Sequence, residues 1–556
     1  MYASAIMKDL VMAVLSLMIL AVVPVRAQAP DTILVNGKVL TVDTAFSTRE
    51  AVAIYDGRIL ALGTTAEIRR IATSKTRVID LQGRTVIPGL IDSHMHAIRA
   101  GLSFGTEVNW TGAASLSEAL DRIRQAAATM KRGSWLIVAG GWNTNQFRER
   151  RRPTQAELVA AAPNNPVYVQ LAYGWVVMTP AGLKALNIAS DRDLPSGATF
   201  ERDANGNPTG GINGNQPAIV ALFDKLPRPT FVDQVAGTKK FFRELNRLAL
   251  TGVGDPGGGN FTAADYQAVF DVWRQKQMTV RVTYSLNGQV AGSEVEELQG
   301  LARMLPMGFG DEMLRFSGFG ERVTIAMYNN DNPSDADKAS FYQIARWAAE
   351  RGLAMTMHWN NDASVDHLLT LYEQLNREAP IQDLRWSIAH LGDASVRNLA
   401  RMKALGMGWT VQDSLYFSGD AQRTMPPMMT GKKLGVPIGG GTDAHRVASY
   451  NPFTSLQWML DGKTVGGVAL RGLDERPGRE DALRFYTIGS AWFSKDEGKR
   501  GSLEVGKLAD LAVLSKDYMT VPIEEVGTIE SLLTMVGGKV VYGAGSYRQL
   551  EDASKN

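Results

Sequence analysis

Two histidines stand two positions apart at the end of an apolar run in VIPGLIDSHMH, residues 86–96. Residues i and i+2 of a strand face the same side, so His94 and His96 are predicted to project together. Two neighbouring imidazoles in an apolar setting each need a partner, and one shared metal ion satisfies both. The pair alone leaves two interpretations open, a metal site or a hydrogen-bonded structural pair.

Other strand-like runs also end at side chains that can bind a metal ion. The whole chain has only six histidines in 556 residues. The run LAMTMH ends at His358, LRWSIAH ends at His390, and GVPIGGGTD ends at Asp443. In a closed barrel the carboxyl ends of the strands meet around one axis, so these groups are predicted to form one metal site with the first pair.

The positioning elements follow from the alternation of strand-like and helical patterns over residues 87–499, which is typical of a parallel α/β fold. Eight strand-like runs, counting the one that ends at His96, predict a (β/α)8 TIM barrel. Two of its helices are predicted over 337–352 and 393–406, each beginning near an Asp and ending at a Gly. Residues 134–226 interrupt the alternation and are predicted to be an insertion after the first barrel strand.

Both ends of the chain contain short β-hairpin patterns. Asn36-Gly37 lies between two apolar runs, a strong hairpin signal, and VGGKV at 536–540 resembles VNGKV at 35–39. Because lone hairpins are marginally stable in water, segments 30–86 and 500–550 are predicted to fold together as one small β-sandwich-like domain. Chance similarity between two short turns is the alternative.

The first residues are typical of a secretory signal peptide. Lys8 precedes an apolar stretch of 14 residues at 10–23, and small residues follow at Ala27 and Ala29. The stretch is short for crossing ~30 Å of hydrocarbon. Residues 1–29 are therefore predicted to be removed, with the cut after Ala27 or Ala29, leaving a periplasmic or secreted protein without membrane contact. An uncleaved anchor is the alternative.

Composition excludes several classes of function. The chain has no cysteine, which excludes disulfides, thiolate catalysis and thiolate metal ligands. The net charge of +2 is close to balance, so no nucleic-acid partner is predicted. A small molecule is the predicted partner, and a homo-oligomer remains open.

Several motifs resemble the amidohydrolase superfamily, namely VIPGLIDSHMH, GTDA and GSLEVGKLADLAVL. Residues 150–170 and 358–369 resemble its YtcJ-like branch, amidohydrolase family 3, and the resemblance spans nearly the whole chain after the leader. It implies a metal-dependent hydrolase of C–N and related bonds, built as a barrel with a β-sandwich-like side domain. By motif, it assigns metal binding to four histidines, His94, His96, His358 and His390. Asp443 corresponds to the acid that binds metal and transfers the proton.

The sequence departs from this family pattern in three places. The fourth strand of such proteins often supplies a carboxylated lysine or a glutamate that bridges two metals, and LRFSGFGERV has no lysine. Glu321 lies at or beside the expected position and is predicted as a sixth ligand, the alternative being a solvated carboxylate beside Arg322. The usual Gly-His and Glu-His dipeptides are replaced by Gly174-Trp175 and Ala389-His390.

The ligand set predicts one or two divalent ions. Zinc is the first choice, and Mn, Fe, Co and Ni also suit imidazole and carboxylate ligands. Such an ion activates water, and Asp443 is predicted to act as the acid and base that cleaves an amide-like C–N bond. Ester, lactone or carbamate hydrolysis uses the same site, and a non-catalytic periplasmic binding protein is the alternative from another class.

Four further residues are candidates for substrate contact. His445 lies two positions after Asp443, which is compatible with a place in the pocket or in a loop. Trp142, Trp175 and Trp359 are predicted to form an aromatic wall, although large aromatic side chains more often pack in cores.

Overall fold

The structure is a computed structural model that describes residues 28–412 and 423–552. The predicted leader up to Ala27 lies outside the described residues. So do residues 413–422, which directly follow one of the predicted barrel strands.

Short strands occur along the whole of the described chain. In chain order they are β1 (Thr32–Val35), β2 (Lys38–Leu40), β3 (Thr48–Arg49), β4 (Ala51–Tyr55), β5 (Arg58–Gly63), β6 (Arg77–Asp80), β7 (Thr85–Pro88), β8 (Leu90–Asp92), β9 (Leu136–Val138), β10 (Val167–Leu171), β11 (Trp175–Met178), β12 (Ala198–Arg202), β13 (Pro208–Gly214), β14 (Leu250–Asp255), β15 (Arg281–Leu286), β16 (Leu314–Phe319), β17 (Ala354–Trp359), β18 (Ser387–His390), β19 (Gly408–Gln412), β20 (Ile438–Gly441), β21 (Leu511–Leu514), β22 (Ser531–Val536) and β23 (Lys539–Gly543).

Most of the α-helices lie between the strands of the middle region. In chain order they are α1 (Thr65–Arg70), α2 (Ala97–Phe104), α3 (Leu116–Thr129), α4 (Gln155–Ala161), α5 (Pro180–Ala185), α6 (Gln216–Phe223), α7 (Phe231–Arg247), α8 (Gln267–Arg274), α9 (Glu294–Ala302), α10 (Asp335–Glu350), α11 (Asp362–Glu378), α12 (Val396–Ala404), α13 (Met428–Leu434), α14 (Pro452–Asp461), α15 (Arg479–Phe485), α16 (Ile488–Trp492) and α17 (Arg548–Asp552).

Eight parallel strands form the central sheet, in the order β20-β19-β18-β17-β16-β15-β14-β8. The two end strands meet where the backbone N–H of Ser93 donates to the carbonyl of Gly440 at 2.9 Å. Every residue of β15, β18, β19 and β20 is buried, as expected when helices cover the outside and side chains fill the inside. The predicted (β/α)8 TIM barrel is confirmed.

The first barrel strand is shorter than predicted. It ends at Asp92, and His94 and His96 lie in the connection that leads to α2. The carboxyl of Asp92 accepts a hydrogen bond from the backbone N–H of His94 at 2.9 Å. Such a local side-chain bond replaces the ladder of a strand, so the two imidazoles owe their common direction to this connection rather than to strand alternation.

The two helices predicted from Asp and Gly signals begin at serine caps. In α10 the Ser334 hydroxyl accepts from the N–H of Asp337, whose carboxylate accepts from the N–H of Ser334 in return. In α12 the Ser395 hydroxyl accepts from the N–H of Asn398. A serine at the N-cap accepts a hydrogen bond from a backbone N–H that the helix leaves unpaired. As a result α10 begins two residues before the predicted start, and α12 begins three residues after it.

Strands from both ends of the chain share one six-stranded sheet, in the order β23-β22-β21-β7-β2-β3. A second sheet, β5-β4-β1-β6, lies against it, and the two bury a common apolar cluster that includes Leu34, Val52, Val86, Leu511 and Met535. Strand β7 leads directly into β8, so this β-structure supports the start of the barrel.

A five-stranded sheet, β12-β13-β11-β10-β9, lies between β8 and α7 in the chain. It has its own apolar clusters, one of them around Trp110, Trp142 and Phe147. Helix α6 follows this sheet and presents residues toward the carboxyl ends of the barrel strands. Within the described residues, no helix has both the length and the apolar character needed to cross a membrane.

Candidate metal centre

Six side chains with metal-binding chemistry meet at the carboxyl ends of the barrel strands. His94 and His96 follow β8, Glu321 follows β16, and Asp443 follows β20. His358 is the next-to-last residue of β17, and His390 is the last residue of β18. Backbone hydrogen bonds align the connections: the N–H of Asp443 donates to the carbonyl of His94 at 2.9 Å. The N–H of His358 donates to the carbonyl of Glu321 at 3.1 Å.

Glu321 lies at the centre of this group. Its Oε2 is 3.1 Å from Nδ1 of His358, 3.3 Å from Nε2 of His94 and 3.7 Å from Nε2 of His390. Its Oε1 is 3.4 Å from Nε2 of His96. The carboxyl is buried, with 6% of the residue exposed, so the alternative of a solvated carboxylate beside Arg322 does not describe it.

Asp443 completes the group on the side of the first histidine pair. Its Oδ1 is 3.2 Å from Nε2 of His96 and 3.8 Å from Nε2 of His94. Two overlapping sets have ligand atoms that all lie within 4.8 Å of one another, His94 with His96 and Asp443, and His94 with Glu321 and His390. The geometry therefore offers ligands for one ion or for a close pair of ions.

The carboxyls and imidazoles of this group shift one another's pKa values. Burial alone would raise the pKa of Glu321, but contacts with His358, His390 and His94 hold that pKa well below its ordinary value. The pKa of Asp443 is likewise lowered, because contact with His96 and the charges of His390 and His94 outweigh burial. Burial and the neighbouring His358 lower the pKa of His390. Both carboxyls are thus ionised and His390 is neutral near pH 7, the states that bind metal.

Two buried imidazole nitrogens test whether the residues fit a metal ion. Nε2 of His94 and Nε2 of His390 are both inaccessible to solvent and form no hydrogen bond among the described residues. A buried polar atom without a partner is costly, and a metal ion satisfies it. Nδ1 of His96 bonds with the carbonyl of Gly257, which directs Nε2 into the site, as is common for metal-binding histidines. The donor set fits a divalent ion.

The backbone is strained at two of these positions. His390 has φ 72° and Asp443 has φ 56°, in the left-handed region that favours glycine. Such a conformation costs a side-chain-bearing residue on the order of 1–3 kcal/mol and is concentrated at functional sites. Both side chains belong to the group.

A cavity of about 580 Å³ opens over the group and exposes His96, Glu321, His358 and Asp443. Sequence reasoning missed several of its other lining residues, namely Arg99, Tyr173, Asp224, Tyr328 and Asn329. The Tyr328 hydroxyl lies 3.3 Å from Nδ1 of His358, and burial raises the pKa of this hydroxyl, so it stays protonated. Arg99 lies one helical turn after His96, and that spacing is a sequence signal; Tyr328 has none.

The residues predicted to contact substrate do not line this cavity in the described structure. His445 is buried with its Nε2 3.4 Å from Oε2 of Glu107. Trp142 is buried against Trp110 and donates to the carbonyl of Gln170 at 2.7 Å. His445 thus pairs with the segment that follows α2, and Trp142 packs within the apolar cluster of the inserted sheet.

Trp175 and Trp359, the other two tryptophans predicted to contact substrate, are also packed in the interior. Trp359 follows His358 in β17, so strand alternation turns it to the outside of the barrel, where its Nε1–H donates to Ser364 at 3.0 Å. Trp175 is buried at the start of β11, with the Arg152 guanidinium 4.7 Å from its ring. The predicted aromatic wall is therefore not part of the cavity lining.

The chain is similar to known proteins along most of its length. The family model described as "Amidohydrolase family" matches residues 77–542. N-substituted formamide deformylase of Arthrobacter pascens is 26% identical, covering 93% of this chain and 99% of that protein. Putative amidohydrolase YtcJ of Bacillus subtilis is 23% identical over 89% of this chain and 96% of its own. An uncharacterized metal-dependent hydrolase from Pyrococcus horikoshii has a similar fold, with TM-score 0.63 and 20% identity over 89% and 99% of the two chains.

The family match, together with the ligand group, identifies a metal-dependent hydrolase that acts on C–N bonds. The chain belongs to the amidohydrolase family, as the resemblance of its motifs predicted.

Proposed function

We propose that this protein hydrolyses an amide-like C–N bond of a small molecule at the six-residue group, with one or two divalent cations, zinc first among them. The observation that supports this most directly is the convergence of Glu321 with four imidazoles at distances of 3.1 to 3.7 Å. Its position at the floor of a cavity of about 580 Å³ gives a small molecule access to the same atoms.

The residues divide into holding and proton-transfer roles. Four histidines and Glu321 would hold the cation, namely His94, His96, His358 and His390 with the carboxylate, and Asp443 would hold it while also transferring the proton. When bound, a divalent cation supplies Lewis acidity, which makes water nucleophilic at neutral pH and polarises the scissile carbonyl. Asp443 is ionised and adjoins the cavity, so it accepts the proton of the attacking water and returns it to the leaving nitrogen.

Relatives suggest the first substrates to try. The Arthrobacter pascens relative is named an N-substituted formamide deformylase, so N-substituted formamides are the first probes. The metal-free protein should be reconstituted with zinc or manganese, assayed for metal content, and tested on matched formamides, other N-acyl amines, esters and lactones. Turnover of amides that depends on added metal is the expected result.

Two results would contradict the proposal. Hydrolysis of esters or lactones without any amide would point to the related hydrolase activity on the same site. Bound metal without turnover of any compound would favour a binding protein.

We also propose that the protein is exported by its first 29 residues, on the basis of the charge, apolar stretch and small residues at its amino terminus. Expression of the full chain in a bacterium and sequencing of the mature amino terminus test this. A terminus at Gln28 or Pro30 in the periplasmic or secreted fraction is expected, whereas an intact Met1 in the cytoplasm contradicts export.

A further inference from the structure

The cavity wall contains an arginine that the metal group does not use. Arg99 lies on α2, three residues after His96, and lines the main cavity together with the candidate ligands. It also lines an adjoining chamber of about 150 Å³, bounded on its far side by Phe223, Phe261 and Arg446. The guanidinium therefore lies where the two spaces join.

Arg99 has no hydrogen-bond acceptor among residues 28–412 and 423–552, and its Nε is inaccessible to solvent without a partner. The nearby carboxyls of Asp443, Glu321 and Asp255 act on it only through space. Histidines contact the first two, and Asp255 accepts from the backbone N–H groups of Ile98 and Gly257. Arg99 is half-buried, and part of its side chain lines the cavity. A guanidinium has five donors in a planar fork, and donors screened from solvent normally meet acceptors. Water can fill this role until a ligand replaces it.

A second arginine lies on the other side of the same glycine loop. A Cβ on Gly258 would lie 3.5 Å from Nη1 of Arg99, and a Cβ on Gly259 would lie 2.7 Å from Nη1 of Arg322. Nη2 of Arg322 donates to the carbonyl of Gly288 at 3.2 Å, while its Nε is buried without a partner among the described residues. Because Gly258 and Gly259 have no side chains, the guanidinium groups of both arginines can lie close to this loop.

The remaining charges of the wall do not balance these two cations. Asp224 is exposed and pairs with Arg228 at 3.7 Å. Among the cavity-lining residues that the structure describes, the other carboxyls are Glu321 and Asp443, which belong to the metal group. Neither Arg99 nor Arg322 is thus paired with a carboxylate among the described residues, and a ligand placed beside them gains by carrying negative charge.

We propose that the substrate carries a carboxylate a few bonds from the scissile C–N bond, and that Arg99 binds this carboxylate. The inference rests on the proposed hydrolytic function and names the substrate class as N-acyl amino-acid-like compounds. Arg99 and four of the ligand candidates line the same cavity, so one small molecule can contact the guanidinium and the metal group together. The fork of arginine matches a carboxylate in two parallel hydrogen bonds, and Arg322 adds charge beside it.

The test compares N-formylphenylalanine with N-formylphenylalaninamide. The first compound has a carboxylate where the second has a neutral amide, and hydrolysis of the N-formyl group releases formate from both. The metal-loaded wild type should prefer the acid in kcat/KM by about 10- to 100-fold, the range of a hydrogen-bonded charge pair. Arg99→Met should remove that preference mainly through KM, while the neutral compound changes by less than about threefold. Arg99→Lys, which keeps the charge and loses the fork, should lie between them.

Arg228→Met is the matched control, because it removes the same charge at the same chamber from a side chain that is 68% exposed. It should keep the preference for the acid. Equal turnover of both compounds by the wild type, or an equal loss for both in Arg99→Met with unchanged metal content, overturns the inference and leaves the hydrolase standing.

Binding separates this inference from the proposed function. If neither compound is hydrolysed, titration calorimetry with N-formylphenylalanine decides: binding by the wild type that Arg99→Met loses at least about tenfold supports the carboxylate site. Absence of binding to both proteins overturns it. Circular dichroism of each variant shows that the comparison is made between folded proteins.

Discussion

Asp92 accepts a hydrogen bond from the hydroxyl of Thr442 at 2.7 Å, at the junction of the first and last barrel strands, although 350 positions separate the two residues. The same carboxyl accepts from the backbone N–H of Thr442 at 3.2 Å and from that of His94 at 2.9 Å. Thr442 precedes Asp443, so this single buried carboxyl joins the two connections from which three of the six ligand candidates extend. Burial nevertheless raises its pKa to about 7.

Asp92→Asn is expected to destabilise the protein and weaken metal binding together. The asparagine side chain keeps one acceptor oxygen, but its NH2 group would face a backbone N–H that now donates to the carboxyl. Each buried group left without a partner costs about 1–3 kcal/mol. Thermal unfolding and metal content after dialysis measure both effects. Asp335→Asn, at a fully exposed side chain, should change neither, and an Asp92→Asn protein with unchanged metal content would contradict the joining role.

Asp443→Asn is expected to lower kcat by about 10²- to 10⁴-fold, the usual contribution of a positioned acid and base. The asparagine oxygen can still bind a cation, so the metal content should fall less than the activity does. Steady-state kinetics and elemental analysis of the same preparation separate the two quantities. Activity within about tenfold of the wild type would show that another group transfers the proton.

Glu321→Gln is expected to change the number of bound ions. Because Oε1 faces His96 and Oε2 faces His94, His358 and His390, this carboxyl is placed to bridge two sets of ligands. The wild type should bind two zinc ions per chain and the variant at most one, measured by elemental analysis after saturation. Glu378→Gln, at an exposed helix position, is the control, and one ion in both the wild type and Glu321→Gln would exclude the bridge.

The ion pair between Glu107 and Arg446 is expected to make stability depend on pH in the acidic range. Burial alone would raise the pKa of Glu107, but Arg446 at 3.2 Å and His445 at 3.4 Å lower it to about 2 from its ordinary 4.5. Burial lowers the pKa of His445 to about 4, so Arg446 is the cationic partner at neutral pH.

Because the pKa of Glu107 is depressed in the folded state, its contribution is present above pH 4.5 and is lost as the pH falls toward 2. The shift corresponds to an upper limit of about 3 kcal/mol at neutral pH. Calorimetric melting should give a Tm difference between the wild type and Glu107→Gln that is large at pH 7 and smaller at pH 3. A difference independent of pH would exclude the ion pair as its cause, and Glu350→Gln on α10 should show little difference throughout.

Local patterns were sufficient to find the barrel and most of the candidate ligands. His358, His390 and Asp443 each stand at or just after the end of an apolar run, and the carboxyl ends of barrel strands always lie together, so convergence could be inferred without coordinates. The helix starts were less accurate, because a serine cap and an acidic first turn look alike in one sequence.

The fate of the aromatic candidates required the tertiary structure. Whether Trp142, Trp175 or Trp359 faces a cavity depends on which elements pack against it, and in the structure apolar neighbours bury all three. Propensity and spacing describe neighbours along the chain, whereas these contacts join segments far apart in sequence.

The sequence by itself determined the barrel, the family and the type of chemistry, because each is written in residues close together along the chain: strand periodicity and the HMH and GTDA motifs. Only the tertiary structure decided that Glu321 lies between four imidazoles and that Arg99 is left without an acceptor among the described residues. The physical reason is that the charge balance and hydrogen-bond satisfaction of a buried group depend on every element packed around it.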